Sequence, residues 1–465
     1  MLDHSGWTWP IRSPSKPPRD SSQFWHSGTG KLEDWSGEER KRRTIPDYVL
    51  EYAPYVHLFS GETYWPSDIA EHLVHTRPIL NHSAIDYGSS DTHDLNNLGQ
   101  WNSLDEDESG SHVFLHSYDN IEVLPDWLRS EHNIPASLER QGAYDYDLPK
   151  SVDGRCGGTN ATTCQGTSFG QCCSIFGWCG SDGEHCSVNC DPRFGHCHGP
   201  HLPGRYEPHT DLRKRDLFDK GRSTAPAILV LVAKADDIID AFWFFFYSHN
   251  KGKKVLNIQF GNHVGDWEHT MIRFQNGTPT AAFLSAHSWG ASFTYDALEK
   301  YALDPQTGEL LSSDRNTTST APEQFKRPIV FSAEGSHAMY ATPDYHDYVA
   351  PYGILHDDTD RGPLWDPLKN LKAFTYDIDA GMVRSSTLNP DAPTSWFDFA
   401  GHWGDRYYLL SDPRQYRFAG EYHYVSGPSG PKFKNLGRDE PCERQGPCKV
   451  ATTIQRVEAG GMIHM

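Results

Sequence analysis

The chain of 465 residues lacks any run of ~18 apolar residues, so no segment of it reads as a transmembrane helix. It is short of cations. Lys and Arg number 42 against 62 Asp and Glu, a formal net charge of -20. Affinity for nucleic acid comes largely from Lys and Arg on phosphates, so this balance argues against nucleic acid as a partner. Several catalytic signatures are missing: a Gly-rich nucleotide loop, a Gly-x-Ser-x-Gly elbow and a His-Glu-x-x-His helix. The opening MLDHSGWTWPIRSPSKPPRD has no apolar h-region and does not read as a signal peptide. Cysteine is nearly absent except in one place. Of ten cysteines, eight fall between Cys156 and Cys197. That clustering predicts a small disulfide-stapled module set inside a larger, almost cysteine-free chain.

Disulfides imply an oxidising compartment, and Asn81, Asn160, Asn276 and Asn316 each begin an N-x-[ST] sequon. The cysteines outweigh the opening residues here. The expected location is extracellular or cell wall, with the vacuole or secretory pathway as the alternative.

The length accommodates about three average domains. Residues 1–43 are Pro, Ser, Gly and charge and read as disordered. Residues 44–150 and 200–425 carry the strand signals of one larger domain, which the cysteine module at 152–198 interrupts. The Gly- and Pro-rich end, 426–465, reads as a flexible tail in which Cys442 and Cys448 can close a local loop. The stretch IPDYVLEYAPYVHLFSGETYWP has strand character, SHVFLHSY reads as a strand, and LPDWLRSEHNI as a turn with a short helix. APAILVLVAKADDIIDAFWFFFYS predicts a hairpin whose second strand is buried on both faces. WEHTMIRF, TAAFLSAHSW and RPIVFSAEGS continue the strand pattern, broken by turn signals such as QNGT. The fold class is mainly β. An insertion is tolerated at an exposed loop, which is where the module is expected to sit.

In the module the spacing runs Cys156, Cys164, the adjacent Cys172 and Cys173, then Cys179, Cys186, Cys190 and Cys197. About 45 residues bury too little surface to fold unaided, and four disulfides would compensate. The text CCSIFGWCGSDGEHC closely resembles the hevein-type chitin-binding module. The resemblance implies the pairs Cys156–Cys173, Cys164–Cys179, Cys172–Cys186 and Cys190–Cys197. It also implies chitin or chitooligosaccharides as the ligand, with contacts from Ser174, Phe176, Trp178 and His185. Exposed rings suit the apolar faces of N-acetylglucosamine, and a Ser hydroxyl suits its acetamide carbonyl. Phe176 stands where Trp or Tyr is usual, and His185 where an aromatic such as Tyr is usual. A disulfide knot with no sugar site is the plainer reading.

The second constellation is GNHVGDWEH, from Gly261 to His269. Residues i and i+2 of a strand share a face. Asp266 and Glu268 therefore point one way, Trp267 and His269 the other. His263 precedes a turn loosened by Gly265 and can fold over the carboxylate face. An imidazole with two carboxylates suits a divalent cation, with Ca²⁺ or Mg²⁺ ahead of Zn²⁺ or Mn²⁺. The plainer reading makes Asp266 a turn cap and gives Glu268 to His269 or Arg273.

IIDAFWFFFYSHNKG, GNHVGDWEHTMIRF and RPIVFSAEGSHAMY make residues 45–145 and 200–425 resemble the vacuolar protein sorting-associated protein 62 family. A remoter similarity, on Asp-Trp-Glu, is to the necrosis- and ethylene-inducing peptide-like proteins. That resemblance implies a β-sandwich with flanking helices and a divalent metal near a sphingolipid sugar site. It places metal ligands on His263, Asp266 and Glu268, with His249 or Asn250 as a fourth. Gly265 stands at that signature's second His, which leaves cytolytic activity unsupported. His287 and His337 follow strand-like text and are the candidate general bases. Together the resemblances point to a fungal, chitin-binding protein. Its larger domain would hold a metal and bind a second glycan or glycolipid head group. The alternative is a metal-dependent hydrolase or lyase on cell-wall polysaccharide.

Overall fold

The structure is a computed structural model. It describes residues 20–454 apart from internal stretches, the longest being 82–92, 137–149, 196–220 and 314–324. The chain divides into two compact units. One joins Met1–Ser137 to Gly221–Met465, and the other is Leu138–Lys220.

The larger unit is built around one hairpin. Its strands β2 (Ala227–Ala233) and β3 (Ile238–Asn250) pair antiparallel, with Ile228 opposite Phe244 and Val232 opposite Asp240. Asp236 and Asp237 turn between them at positive φ, where a short polar side chain is tolerated. β4 (His263–Gln275) pairs along the whole length of β3, and Asn276-Gly277 then turns into β5 (Thr278–Ala286). β6 (Trp289–Thr294) follows. A smaller group contributes β7 (Lys300–Leu303), β8 (Leu310–Ser312), β9 (Arg327–Ser332) and β10 (Met339–Tyr340), with β1 (Tyr55–His57) from the N-terminal part. β11 (Leu364–Trp365), β12 (Leu371–Asp377), β13 (Met382–Ser385) and β14 (Val450–Ala451) complete the two main sheets. The eight-stranded sheet runs β13-β12-β2-β3-β4-β5-β6-β14. The six-stranded sheet runs β8-β7-β9-β1-β11, with β10 on β9.

β3 shows why the sheet is buried on both faces. Trp243, Phe245 and Tyr247 share a core with Val56 of β1, Val330 of β9 and Trp365 of β11, so this face meets the smaller sheet. Phe242, Phe244 and Phe246 point the other way. They share a core with Ile69 and Leu73 of helix α1 (Ile69–His75) and Trp396 and Phe397 of helix α2 (Ser395–Asp398). The result is a sandwich-like β unit with flanking helices, as the resemblance implies. The second unit is the disulfide-rich segment, in which Cys172–Cys173 pairs with Cys179–Gly180.

Three local expectations change. Residues 20–43 are ordered rather than disordered. Trp25 is buried against Phe374 and Trp396, and Gly37–Arg43 is a helix capped by Ser36. Trp25 and Trp35, both buried, outweigh the surrounding Pro, Ser and charge. The expected flexible tail is docked through residue 454: β14 adds to β6, Cys442 bonds Cys448, and Arg438 is inserted between Phe242 and Phe283. The aromatic stretch from Ile45 starts as a helix, Asp47–Glu51, before β1.

Candidate functional site

In the cysteine unit the structure pairs Cys156 with Cys173, Cys164 with Cys179, and Cys172 with Cys186. Cys190 and Cys197, with their expected bond, lie outside the described residues, as does Phe176. Trp178 is 47% exposed, an unusual state for so large a ring. The Arg155 guanidinium lies 5.1 Å from its centroid. Ser174 is fixed beside it. Trp178 N donates to Ser174 Oγ at 3.3 Å, and Ser174 N donates to Trp178 O at 2.9 Å. His185 lies across Gly180, where a Cβ would collide with its ring, and its Nδ1 is 2.6 Å from Asp182 Oδ1.

The larger unit places GNHVGDWEH at the start of β4. Asp266 lies opposite Tyr247 and Glu268 opposite Phe245, on the face toward the smaller sheet. Trp267 and His269 lie opposite Phe246 and Phe244 on the other face. Gly265 has a φ of 71°, and a Cβ there would strike the Trp403 carbonyl oxygen. Only glycine fits this turn.

Both carboxylates are buried, Asp266 6% exposed and Glu268 5%. Burial first, and then the charge of Asp266, push the Glu268 carboxyl well above its usual range. Ser285 Oγ donates to Glu268. Asp266 Oδ2 is 2.9 Å from His337 Nδ1, and His337 Nε2 is 3.1 Å from the Tyr64 carbonyl oxygen. The His337 ring stacks on Tyr247 at 3.7 Å and is 1% exposed. His337 is therefore closed off from solvent, with its ring nitrogens on Asp266 and the Tyr64 carbonyl.

The plainer pairing of Glu268 with Arg273 is not formed, because Arg273 grips Asp240 with Nε and Nη2, each at 2.7 Å. His263, half-buried, holds its Nδ1 2.7 Å from Gly265 O. Burial lowers its pKa, which keeps Nε2 a lone-pair donor. His249 is buried and pushed down to about 3 by desolvation, reinforced by His263 and His337. It stacks on Tyr64 at 4.4 Å, and its Nδ1 has no hydrogen-bond partner. Asn250 Nδ2 instead donates to Gly261 O at 3.1 Å.

His263, Asp266 and Glu268 do not converge as read from the sequence. Among the described residues, the group of His, Cys, Asp or Glu ligand atoms lying within 4.8 Å of one another is Cys156, Cys164 and Cys179, all disulfide-bonded. The reason is local. Two positions along a strand are separated by roughly 7 Å, and His337 and Ser285 each hold one carboxylate. The chemistry of the donors nevertheless fits a divalent ion: two imidazoles kept neutral, one with an orphaned nitrogen, beside two crowded carboxylates.

His287 follows β5 at a φ of 53°. Its Nε2 is 2.6 Å from Asp357 Oδ2, and it is partly exposed. Asp357 was missed by the sequence reading and is fully buried. It also accepts from Ser336 Oγ at 2.8 Å and Tyr340 OH at 2.9 Å, with Lys253 Nζ at 3.3 Å. Burial alone would raise its pKa. The hydrogen bond and charge of His287, with Lys253, overcome that and hold it at about 2. The carboxylate is ionised at every working pH, and His287 is oriented by it.

No family model matches the chain. A vacuolar protein sorting-associated protein of Saccharomyces cerevisiae, TDA6, is 32% identical over 418 residues, 88% of this chain and 71% of its own. Vacuolar protein sorting-associated protein 62 of the same yeast is 29% identical over 414 residues, 87% of this chain and 69% of its own. Short stretches match elsewhere. An AA9 family lytic polysaccharide monooxygenase of Botryotinia fuckeliana is 49% identical over 50 residues, 11% of each chain. A chitin deacetylase of a Pestalotiopsis species is 45% identical over 47 residues, 10% of this chain and 15% of its own. A solved structure described as a toxin fold for microbial attack and plant defense covers 28% of this chain and 60% of its own. At a TM-score of 0.13 and 14% identity it carries no argument. On the likeness that spans most of both chains, the protein belongs to the vacuolar protein sorting-associated protein 62 family, with a hevein-type module set into it.

Proposed function

We propose that the protein binds chitin or chitooligosaccharides through its cysteine unit. We further propose that the larger unit holds a divalent metal and takes a second glycan or glycolipid head group. The observation that carries the first part is Trp178, a large exposed ring beside a fixed Ser174 hydroxyl in a unit cross-linked by disulfides. Short likenesses to a polysaccharide monooxygenase and a chitin deacetylase favour a carbohydrate ligand. Trp178→Ala should cut retention on insoluble chitin by at least about tenfold while the melting curve of the larger unit is unchanged. A hot aromatic contact of this kind contributes on the order of 2 kcal/mol or more. Retention equal to wild type refutes the assigned surface.

For the metal, the residues that would hold it are His263, Asp266 and Glu268, with His249 as the added donor. Ca²⁺ or Mg²⁺ is the expected ion. When bound it would draw the two carboxylates together and polarise a ligand oxygen. Elemental analysis of the full chain should find one divalent ion, lost in Asp266→Ala. Full occupancy in that variant rules the ligand set out.

The paired His287 and Asp357 favour a second reading, a metal-dependent hydrolase or lyase acting on cell-wall polysaccharide. There His287 takes a proton at the imidazole while Asp357 fixes the ring. Release of new oligosaccharides from wall glycans, abolished in His287→Ala, tests it. The disulfides favour an oxidising compartment over the reducing cytosol. The extracellular space or cell wall is the preferred location, and the vacuole or secretory pathway the other. Among the described residues no helix is long and apolar enough to cross a membrane.

A further inference from the structure

We propose that the larger unit carries a site for one neutral sugar ring at the cavity bounded by His116, Tyr408, Leu409, Ser411, Asp412 and Arg414. This rests on the reading that the larger unit takes a second glycan, and it names the place. The cavity has a volume of about 300 Å³. That is the low end of small-molecule sites, ~300–1,000 Å³, and suits a single ring rather than an extended chain.

Its walls are held in position by the protein alone. Asp412 N donates to Leu409 O at 2.8 Å and Gln415 N to Asp412 O at 3.0 Å, closing a tight turn. Inside that turn Arg414 meets Asp412 in a two-pronged contact, Nε to Oδ1 at 3.0 Å and Nη2 to Oδ2 at 2.8 Å. Arg414 N adds a third bond to Oδ1 at 3.0 Å. The guanidinium lies 3.8 Å from the centroid of the Tyr408 ring. Tyr408 OH donates to Asp405, and His116 Nδ1 is 3.3 Å from the other oxygen of the same carboxylate. Asp405 is buried and also accepts from Ser117 N at 2.6 Å and Ser117 Oγ at 2.9 Å. One buried carboxylate thus aligns the Tyr408 wall, and the Asp412–Arg414 ion pair makes another.

The charge pattern selects the ligand class. Arg414 and Asp412 neutralise each other, so a phosphate would meet Asp412 and an amine would meet Arg414 with little net gain. A sugar has neighbouring hydroxyls that each donate and accept. The carboxylate–guanidinium fork offers acceptors and donors side by side, and Ser411 adds a hydroxyl. Leu409 is exposed beside them and offers the apolar patch on which the C–H face of a ring can lie.

The test uses the full chain carrying Trp178→Ala, so that the cysteine unit is silent. Glucose, mannose, galactose, N-acetylglucosamine and inorganic phosphate are titrated by saturation-transfer NMR, with a thermal melt as the check on folding. At least one sugar should receive saturation on its ring protons. Its affinity should fall by at least about tenfold on adding Asp412→Asn, the loss expected when a charged hydrogen-bonding partner goes. Ser411→Ala, at an exposed position, should weaken the same sugar and guards against misfolding of the first variant. Sugar binding that survives both substitutions overturns the cavity and leaves the broader reading standing. No sugar bound at all overturns both. Phosphate bound in preference to every sugar overturns the neutral-ring assignment.

Discussion

At the level of single residues, Gly265 decides how the candidate site is put together. Strand alternation places Asp266 and Glu268 on one face, and His263, an odd number of positions away, belongs by that rule to the other. The left-handed turn at Gly265 interrupts the rule just before the carboxylates. The charge of Asp266 then reaches His263 and opposes the lowering that burial imposes on it. Gly265→Ala brings a Cβ against the Trp403 carbonyl and forces a residue into a φ that L-residues avoid. The expected cost is at least about 2 kcal/mol, seen as a lower denaturation midpoint. An unchanged midpoint would mean that the close approach of Gly265 to Trp403 is absent from the native protein.

At the level of elements, β1 contributes a buried imidazole with a pH consequence. His57 has Nδ1 2.9 Å from Gly362 O and Nε2 3.0 Å from Tyr301 OH, and its ring stacks on Phe331 at 5.5 Å. Burial pushes its pKa down to about 4. The unfolded chain therefore binds a proton near pH 6.5 that the folded chain refuses. The stability from keeping His57 neutral is complete above pH 6.5 and is lost as pH falls toward 4. The full effect is roughly 3 kcal/mol at 1.36 kcal/mol per unit. His57→Gln retains a donor and an acceptor but does not titrate. Its stability curve should be flatter than wild type between pH 6.5 and 4, and parallel curves would contradict the assignment. Much of this element-level picture was legible in the sequence. The β2–β3 hairpin, the parity of Asp266 and Glu268, and the strand-end positions of His287 and His337 all follow from alternation and turn chemistry. What was not legible depends on contacts far apart in the chain. Asp357 meets His287 across 70 residues, and the text LHDDTD carries no periodic signal. Trp25 and Arg438 lie in segments of polar, Gly- and Pro-rich composition, and distant residues such as Phe374, Trp396, Phe242 and Phe283 give them a place to pack. Spacing along one strand likewise cannot show that His337, 71 residues away, lies on Asp266.

At the level of the whole molecule, the two units are stabilised by different forces. The larger one buries aromatic and β-branched side chains on both faces of β3, and its described disulfide is the six-residue step Cys442–Cys448 at its C-terminal end. The smaller one has little beyond its cross-links, with sequence separations of 17, 15 and 14 residues. Each such loop restricts the unfolded chain by about 3 kcal/mol, which is most of what a unit this small can gain. Mild reduction should therefore act on one unit only. Under dithiothreitol, chitin retention should be lost. The main thermal transition should move by no more than a few degrees, as expected when a short terminal loop is opened and the core is left intact. If that transition collapses along with retention, the larger unit depends on the cysteines after all. If retention survives complete reduction, the ligand surface is not in the cysteine unit, and the second glycan site becomes the source of whatever binding is seen.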